Sequence, residues 1–169
     1  MLTAILSCSL LLTSCSNNDE PDVSPADEVE AQLQKMTLRE KVTFRAGIQW
    51  GCQLIMTAHI AVPNVTGSAI PSTLSSIVLQ DKLRGELGYQ NIIVTDGMEM
   101  GAITQHYTSA EAAVGSIKAG VDIVLGPRDF IEAFDAVVAA VKGGTISEER
   151  INQSVRRILK LRLMRGIKG

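Results

Sequence analysis

Histidine, cysteine and aromatic side chains are all scarce in this sequence, which has two His, three Cys, one Trp, two Tyr and three Phe among 169 residues. These shortages exclude several kinds of chemistry. A structural zinc site takes four Cys or His ligands at close spacing, whereas His59 and His106 lie far apart with no third ligand cluster beside them, so no metal is expected. Cys8 and Cys15 fall in the first fifteen residues, leaving Cys52 as the lone thiol of the remaining chain and without a disulfide partner there. Cys52 lies next to an apolar run and reads as a buried, inert thiol. An excess of basic charge is lacking too. The net charge is -2 with both signs mixed along the chain, so nucleic acid is not an expected partner. Gly143-Gly144 lacks the strand and spacing of a phosphate cradle, and no cofactor is implied.

What is present points to an ordered domain with an unusual beginning. Apolar residues make up 46% of the chain and charged ones 20%, the balance of a globular protein, and the length fits one domain. Residues 2–12 are mostly apolar or small, too short a run to span a bilayer but the size of a signal-peptide core. Leu12-Thr13-Ser14-Cys15 resembles the lipobox of bacterial lipoproteins, which would make Cys15 the lipidated first residue of a protein anchored to the membrane at the cell envelope. Residues 1–6 carry no Lys or Arg, a departure from the usual positive n-region; an ordinary secretory signal, giving a secreted or periplasmic protein, is the alternative. Residues 16–26, with Pro21 and Pro25 and almost nothing to bury, read as a flexible tether, and residues 27–169 as the domain.

Along that domain the periodicity alternates. Thr37 with Glu40 forms a capping-box pattern, and residues 44–50 give a short helix ending at Gly51. Residues 54–60 read as a buried strand, 72–87 as a helix stopped by Gly88, and 92–95 as a second buried strand. Thr108 and Glu111 cap a helix ending at Gly120, and residues 121–127 form another short strand. Phe130, Phe134, Val137, Val138 and Val141 recur at helical spacing, and Ser147 caps a last helix over 148–164. Strand and helix alternating at about 30 residues per unit predict right-handed crossovers and a parallel sheet. Asp96, delivered by the second strand into Gly97, then lies at the edge where such sheets collect ligands. An Asp after a strand is equally a turn former or helix cap.

Several motifs in order resemble one family. They are Met36-Thr37-Leu38-Arg39-Glu40-Lys41-Val42, Met56-Thr57-Ala58-His59, Ile70-Pro71-Ser72-Thr73-Leu74-Ser75, Leu83-Arg84-Gly85-Glu86-Leu87-Gly88-Tyr89, Ile93-Val94-Thr95-Asp96-Gly97-Met98-Glu99-Met100 and Ala119-Gly120-Val121-Asp122. Together they are similar to the N-terminal domain of glycoside hydrolase family 3, on the side of the bacterial β-N-acetylhexosaminidases with β-glucosidases as relatives. The resemblance implies a (β/α)8 barrel, of which this chain holds about the last three β/α units and a C-terminal helix. A full barrel takes about 250 residues. It also implies retaining hydrolysis with Asp96 as nucleophile, His59 and Met98 as substrate-binding positions, and a β-linked amino sugar or glucoside as substrate.

The family's acid/base segment, a Gly-Asp-Thr followed by an Asp-Ser-His, is absent from the sequence. The opening motif instead runs at Val42 and Thr43 directly into residues that resemble the helix after that segment. Two readings follow. One is a glycosidase of the family 3 type. The other is a catalytically inactive remnant, or half-barrel, acting through association with another chain by way of its open sheet edge.

Overall fold

The computed structural model describes residues 44–167 together with Ala31 and Lys35. The lipobox-like segment with Cys15, the tether and the Thr37 cap lie outside the described residues.

Two parallel strands, β1 (Leu54–Met56) and β2 (Ile92–Val94), pair in register as Leu54 with Ile92, Ile55 with Ile93 and Met56 with Val94. A short helix, α1 (Phe44–Gln49), precedes β1, and Gly51 turns the chain at a φ of 80°. Between the strands lie a four-residue helix, α2 (Pro63–Thr66), a 3-10 turn (Ser72–Leu74) and a wide-wound π-helix (Ile77–Glu86). After β2 come α3 (Gly101–Thr104), α4 (Ser109–Ala119), α5 (Phe130–Lys142) and α6 (Glu148–Met164). The fold is therefore mixed α/β with a parallel sheet, as the alternating periodicity predicts.

Local signals set the helix limits. Thr108 accepts from the Glu111 N–H while Glu111 returns a bond to the Thr108 N–H, completing the expected capping box. Ser147 accepts from the Arg150 N–H at the start of α6, and Asp129 does the same for Glu132 in α5. Gly120 ends α4 at a φ of 122°, with the Gln80 side chain so close that a Cβ would meet it at 2.6 Å. The positive φ is what favours Gly there, since the Gln80 amide at the end of a flexible side chain could swing away from a Cβ.

Three expectations change. The third strand, predicted at 121–127, reduces to a single parallel bridge between Val94 and Ile123. The ladder stops because side chains take over its bonds: Asp122 Oδ2 accepts from the Ile93 N–H, and the Leu125 N–H donates to Thr95 Oγ1. The first strand is three residues long rather than seven, and it is an edge. Ile55 is buried, but Leu54 and Met56 are 45% and 56% exposed. The helix predicted from Ser72 is broken at Ser75, whose backbone is extended, and only then winds to Glu86. Within it the Leu87 N–H reaches the Lys82 carbonyl, five residues back.

The core lies between β1, β2 and the π-helix. Ile55, Leu79, Leu83, Tyr89, Ile93 and Val121 pack together, with Cys52 half-buried at its margin rather than fully enclosed. Its thiol donates to the Leu54 carbonyl. Bordering this core, Met56 and Ile60 line an apolar groove of about 340 Å³ with Val78 and Leu87 of the helix region. Phe130 and Phe134 of α5 stack on each other with their rings 6.3 Å apart and stay largely exposed.

Candidate active site

Thr95 is fully buried and bonds across the sheet, its N–H to the Ile123 carbonyl and its hydroxyl accepting from Leu125. The next residue, Asp96, therefore emerges at the C-terminal end of β2 from a fixed base. Its Oδ1 accepts from the Gly97 N–H at 2.8 Å, and the side chain is half-buried. Among the described residues no hydrogen bond or ion pair engages Oδ2. A carboxylate with one oxygen held and the other available is arranged to accept a proton, attack a carbon or hold a cation.

The loop after Asp96 is pinned at both sides. The Met98 N–H donates to the Leu125 carbonyl, and the Met98 side chain, 2% exposed, packs beneath the loop with Ile103 and Ala112. Glu99 is exposed, and its carboxylate lies so near Gly97 and Gly126 that a Cβ at either would meet it at 2.6 or 2.7 Å. Glu99 thus stands where the Asp96 loop meets the loop after Ile123. The helix begins only at Gly101, so Asp96 and Glu99 share no helical face.

His59 comes to the same loop from the end of β1. Its Nε2 lies 3.0 Å from the Gly97 carbonyl and its Nδ1 3.0 Å from Thr73 Oγ1. A carbonyl only accepts, so Nε2 is the donor to Gly97. The structure thus brings Asp96, His59 and Met98, all picked from the sequence, to one loop. His106 is exposed and lines a different cleft, of about 600 Å³, with Tyr107, Arg128, Asp129 and Glu132. No group of three or more His, Cys, Asp or Glu side chains suited to a metal occurs among the described residues.

Sequence reading missed two sets of residues. Thr73, fully buried, touches His59, Thr57 and the Ala58 carbonyl; its place in the Ile70-Pro71-Ser72-Thr73 motif was the only signal. Asp122 was read as part of a family motif, yet its carboxylate is a buried hub. It accepts from Arg84 at 2.7 Å, Arg157 at 2.9 Å and the Ser154 hydroxyl at 2.6 Å, with Arg150 at 3.7 Å. Arg84 also donates to the Tyr89, Asn91 and Gly120 carbonyls, and Arg150 to the Ile117 and Val121 carbonyls and the Ser154 hydroxyl. Desolvation holds the Arg84 and Arg150 guanidinium groups below their usual range, with Asp122 opposing that shift. Beside this hub burial pushes the Tyr89 phenol well above its usual range while its hydroxyl donates to the Ile92 carbonyl.

Parallel strands with helical crossovers and a carboxylate at the C-terminal strand edge define the class of α/β proteins that build their sites at that edge. The chain belongs to the glycosyl hydrolase family 3 N-terminal domain family, which matches residues 21–161. It is 30% identical over 154 residues to an uncharacterized secreted glycosyl hydrolase of Arthroderma benhamiae, covering 89% of this chain and 43% of that protein. Over 128 residues it is 33% identical to beta-hexosaminidase A of Pseudoalteromonas piscicida, covering 64% of this chain and 21% of the relative. Among solved structures it aligns with a family 3 beta-N-acetylglucosaminidase from a Paenibacillus species at a TM-score of 0.72 and 44% identity, covering 75% of this chain and 24% of that one. The chain therefore spans less than half the length of these relatives and only part of the barrel domain.

Proposed function

We propose that this chain carries the nucleophile half of a retaining β-N-acetylglucosaminidase, built as the last three β/α units of a (β/α)8 barrel plus the C-terminal helix. The observation that carries the proposal is Asp96, presented by a buried strand with one carboxylate oxygen held by Gly97 and the other without a partner among the described residues. The 44% identity to a beta-N-acetylglucosaminidase supports the choice of sugar. In this reading Asp96 attacks the anomeric carbon of a terminal β-linked N-acetylglucosaminide, the bond to the leaving oxygen breaks, and a glycosyl ester forms that water later cleaves. His59 and Met98 shape the floor beneath the sugar. Protonating an ordinary leaving alcohol takes a second group about 5 Å from the nucleophile, and the sequence contains neither of the two motifs that would supply it.

That division suggests a substrate that needs no acid. A dinitrophenyl β-N-acetylglucosaminide releases a stable anion unaided, so the first step depends on Asp96 alone. The full chain is expected to release close to one equivalent of dinitrophenolate in a burst and to gain a glycosyl mass on the peptide containing Asp96, both lost in Asp96→Asn. A folded, monodisperse chain that gives neither burst nor adduct would sink the proposal.

A second reading rests on the exposed apolar residues of β1. Leu54 and Met56 of β1 and Ile60 beyond it are exposed, and among the described residues β1 pairs only with β2, which supports an inactive half-barrel that acts by associating with itself or another chain. Sedimentation of the full chain separates the readings: a stable monomer with a burst favours the first, an inactive oligomer the second. For location, lipidation of Cys15 would tether the protein to the membrane at the cell envelope. Cys15→Ser is then expected to release it from the membrane fraction.

A further inference from the structure

The carbonyl of the residue after Asp96 is held by a histidine that is itself held. His59 Nε2–H donates to the Gly97 carbonyl at 3.0 Å, and Nδ1 faces Thr73 Oγ1 at 3.0 Å. Thr73 has no exposed surface, and its hydroxyl also meets Thr57 Oγ1 at 2.8 Å and the Ala58 carbonyl at 3.1 Å. Thr57 extends β1, its N–H donating to the Val94 carbonyl of β2. A chain of polar contacts thus starts on the paired strands and ends on the carbonyl of the residue after Asp96.

Only a hydroxyl suits the middle of that chain. It can accept from Thr57 while donating to Nδ1, or accept from a protonated Nδ1 while donating to Ala58. In both arrangements the Nε2 proton stays on Gly97. Without the hydroxyl, Nδ1 loses its partner and the Gly97 carbonyl alone must hold the ring.

We infer that Thr73 is a positioning residue for Asp96. Acting through His59, it fixes the carbonyl of Gly97, the residue whose own N–H, one peptide unit earlier, holds Asp96 Oδ1. The inference rests on the glycosidase reading for its catalytic consequence alone, because the ring orientation is a property of the fold.

The test uses nitrogen NMR of the full chain beside the dinitrophenolate burst. In the natural protein the His59 Nε2 proton is expected to be observed and slow to exchange. In Thr73→Val, which keeps the shape, Nδ1 loses its partner, the ring is held from one side only, and that proton should exchange about tenfold faster. The burst rate should fall about tenfold as the carboxylate loses its fixed geometry, and Thr73→Ser should restore both. A natural protein whose His59 carries its proton on Nδ1 alone overturns the inference without any variant. So does a Thr73→Val protein with unchanged His59 and Gly97 signals. An observed Nε2 proton that responds to Thr73→Val in a chain with no burst supports the positioning role while rejecting the glycosidase reading.

Discussion

Asp96 follows the end of β2 while Asp122 bonds to Ile93 in its middle, and the two carboxylates have opposite surroundings. Asp96 leaves the C-terminal end of β2 half-buried, with a single backbone N–H on one oxygen. The Asp122 side chain is fully enclosed, and both of its oxygens are occupied by Arg84, Arg157, Ser154 and the Ile93 N–H. A carboxylate saturated in this way has no lone pair to offer a substrate, and one left open contributes little to holding the fold together. On the proposed reading, chemistry and stability are separated between the two aspartates, as they are between the two faces of parallel α/β barrels.

The largest expected effect is on the Asp122 side. Asp122→Ala strands three guanidinium groups in the interior and is expected to cost about 3–5 kcal/mol, read as a drop in the urea midpoint. The contrast would break if Asp96→Asn proved equally costly. Next comes Tyr89→Phe, which leaves the Ile92 carbonyl without its donor and should cost about 1 kcal/mol. Its pH dependence sharpens the point. The folded phenol's pKa is raised by burial, so its contribution is fully present below the unfolded phenol value near 10 and is lost as pH climbs above it. Urea midpoints taken from pH 8 to 11 should fall in the natural protein and flatten in Tyr89→Phe. The smallest effect is expected at Asp96. Asp96→Asn should leave the urea midpoint within about 0.5 kcal/mol of the natural protein while removing the dinitrophenolate burst.

Much of the helical scaffold was legible in the sequence. Thr108 with Glu111, Ser147, and the stops at Gly51, Gly88 and Gly120 all stand where their local codes place them. Asp96 was legible too, because an apolar run ending in Thr95-Asp96-Gly97 delivers its carboxylate by strand geometry alone. The third strand was not. Residues 121–125 are as apolar as a strand, but Asp122 and Thr95 divert the backbone bonds a ladder would use. The exposure of Leu54 and Met56 was equally hidden, since an apolar run does not say how many neighbours its strand has.

By itself the sequence determined what depends on neighbours a turn apart: the caps, the glycine stops, the helix faces and the place of Asp96 at a strand's end. Tertiary structure alone decided the partners. His59 reaches Thr73 across 14 residues and Gly97 across 38, and Asp122 gathers Arg84 from 38 residues before it and Arg157 from 35 after. Such pairings have no local period. They arise when crossovers bring distant strand ends together and each buried polar group must find a partner there.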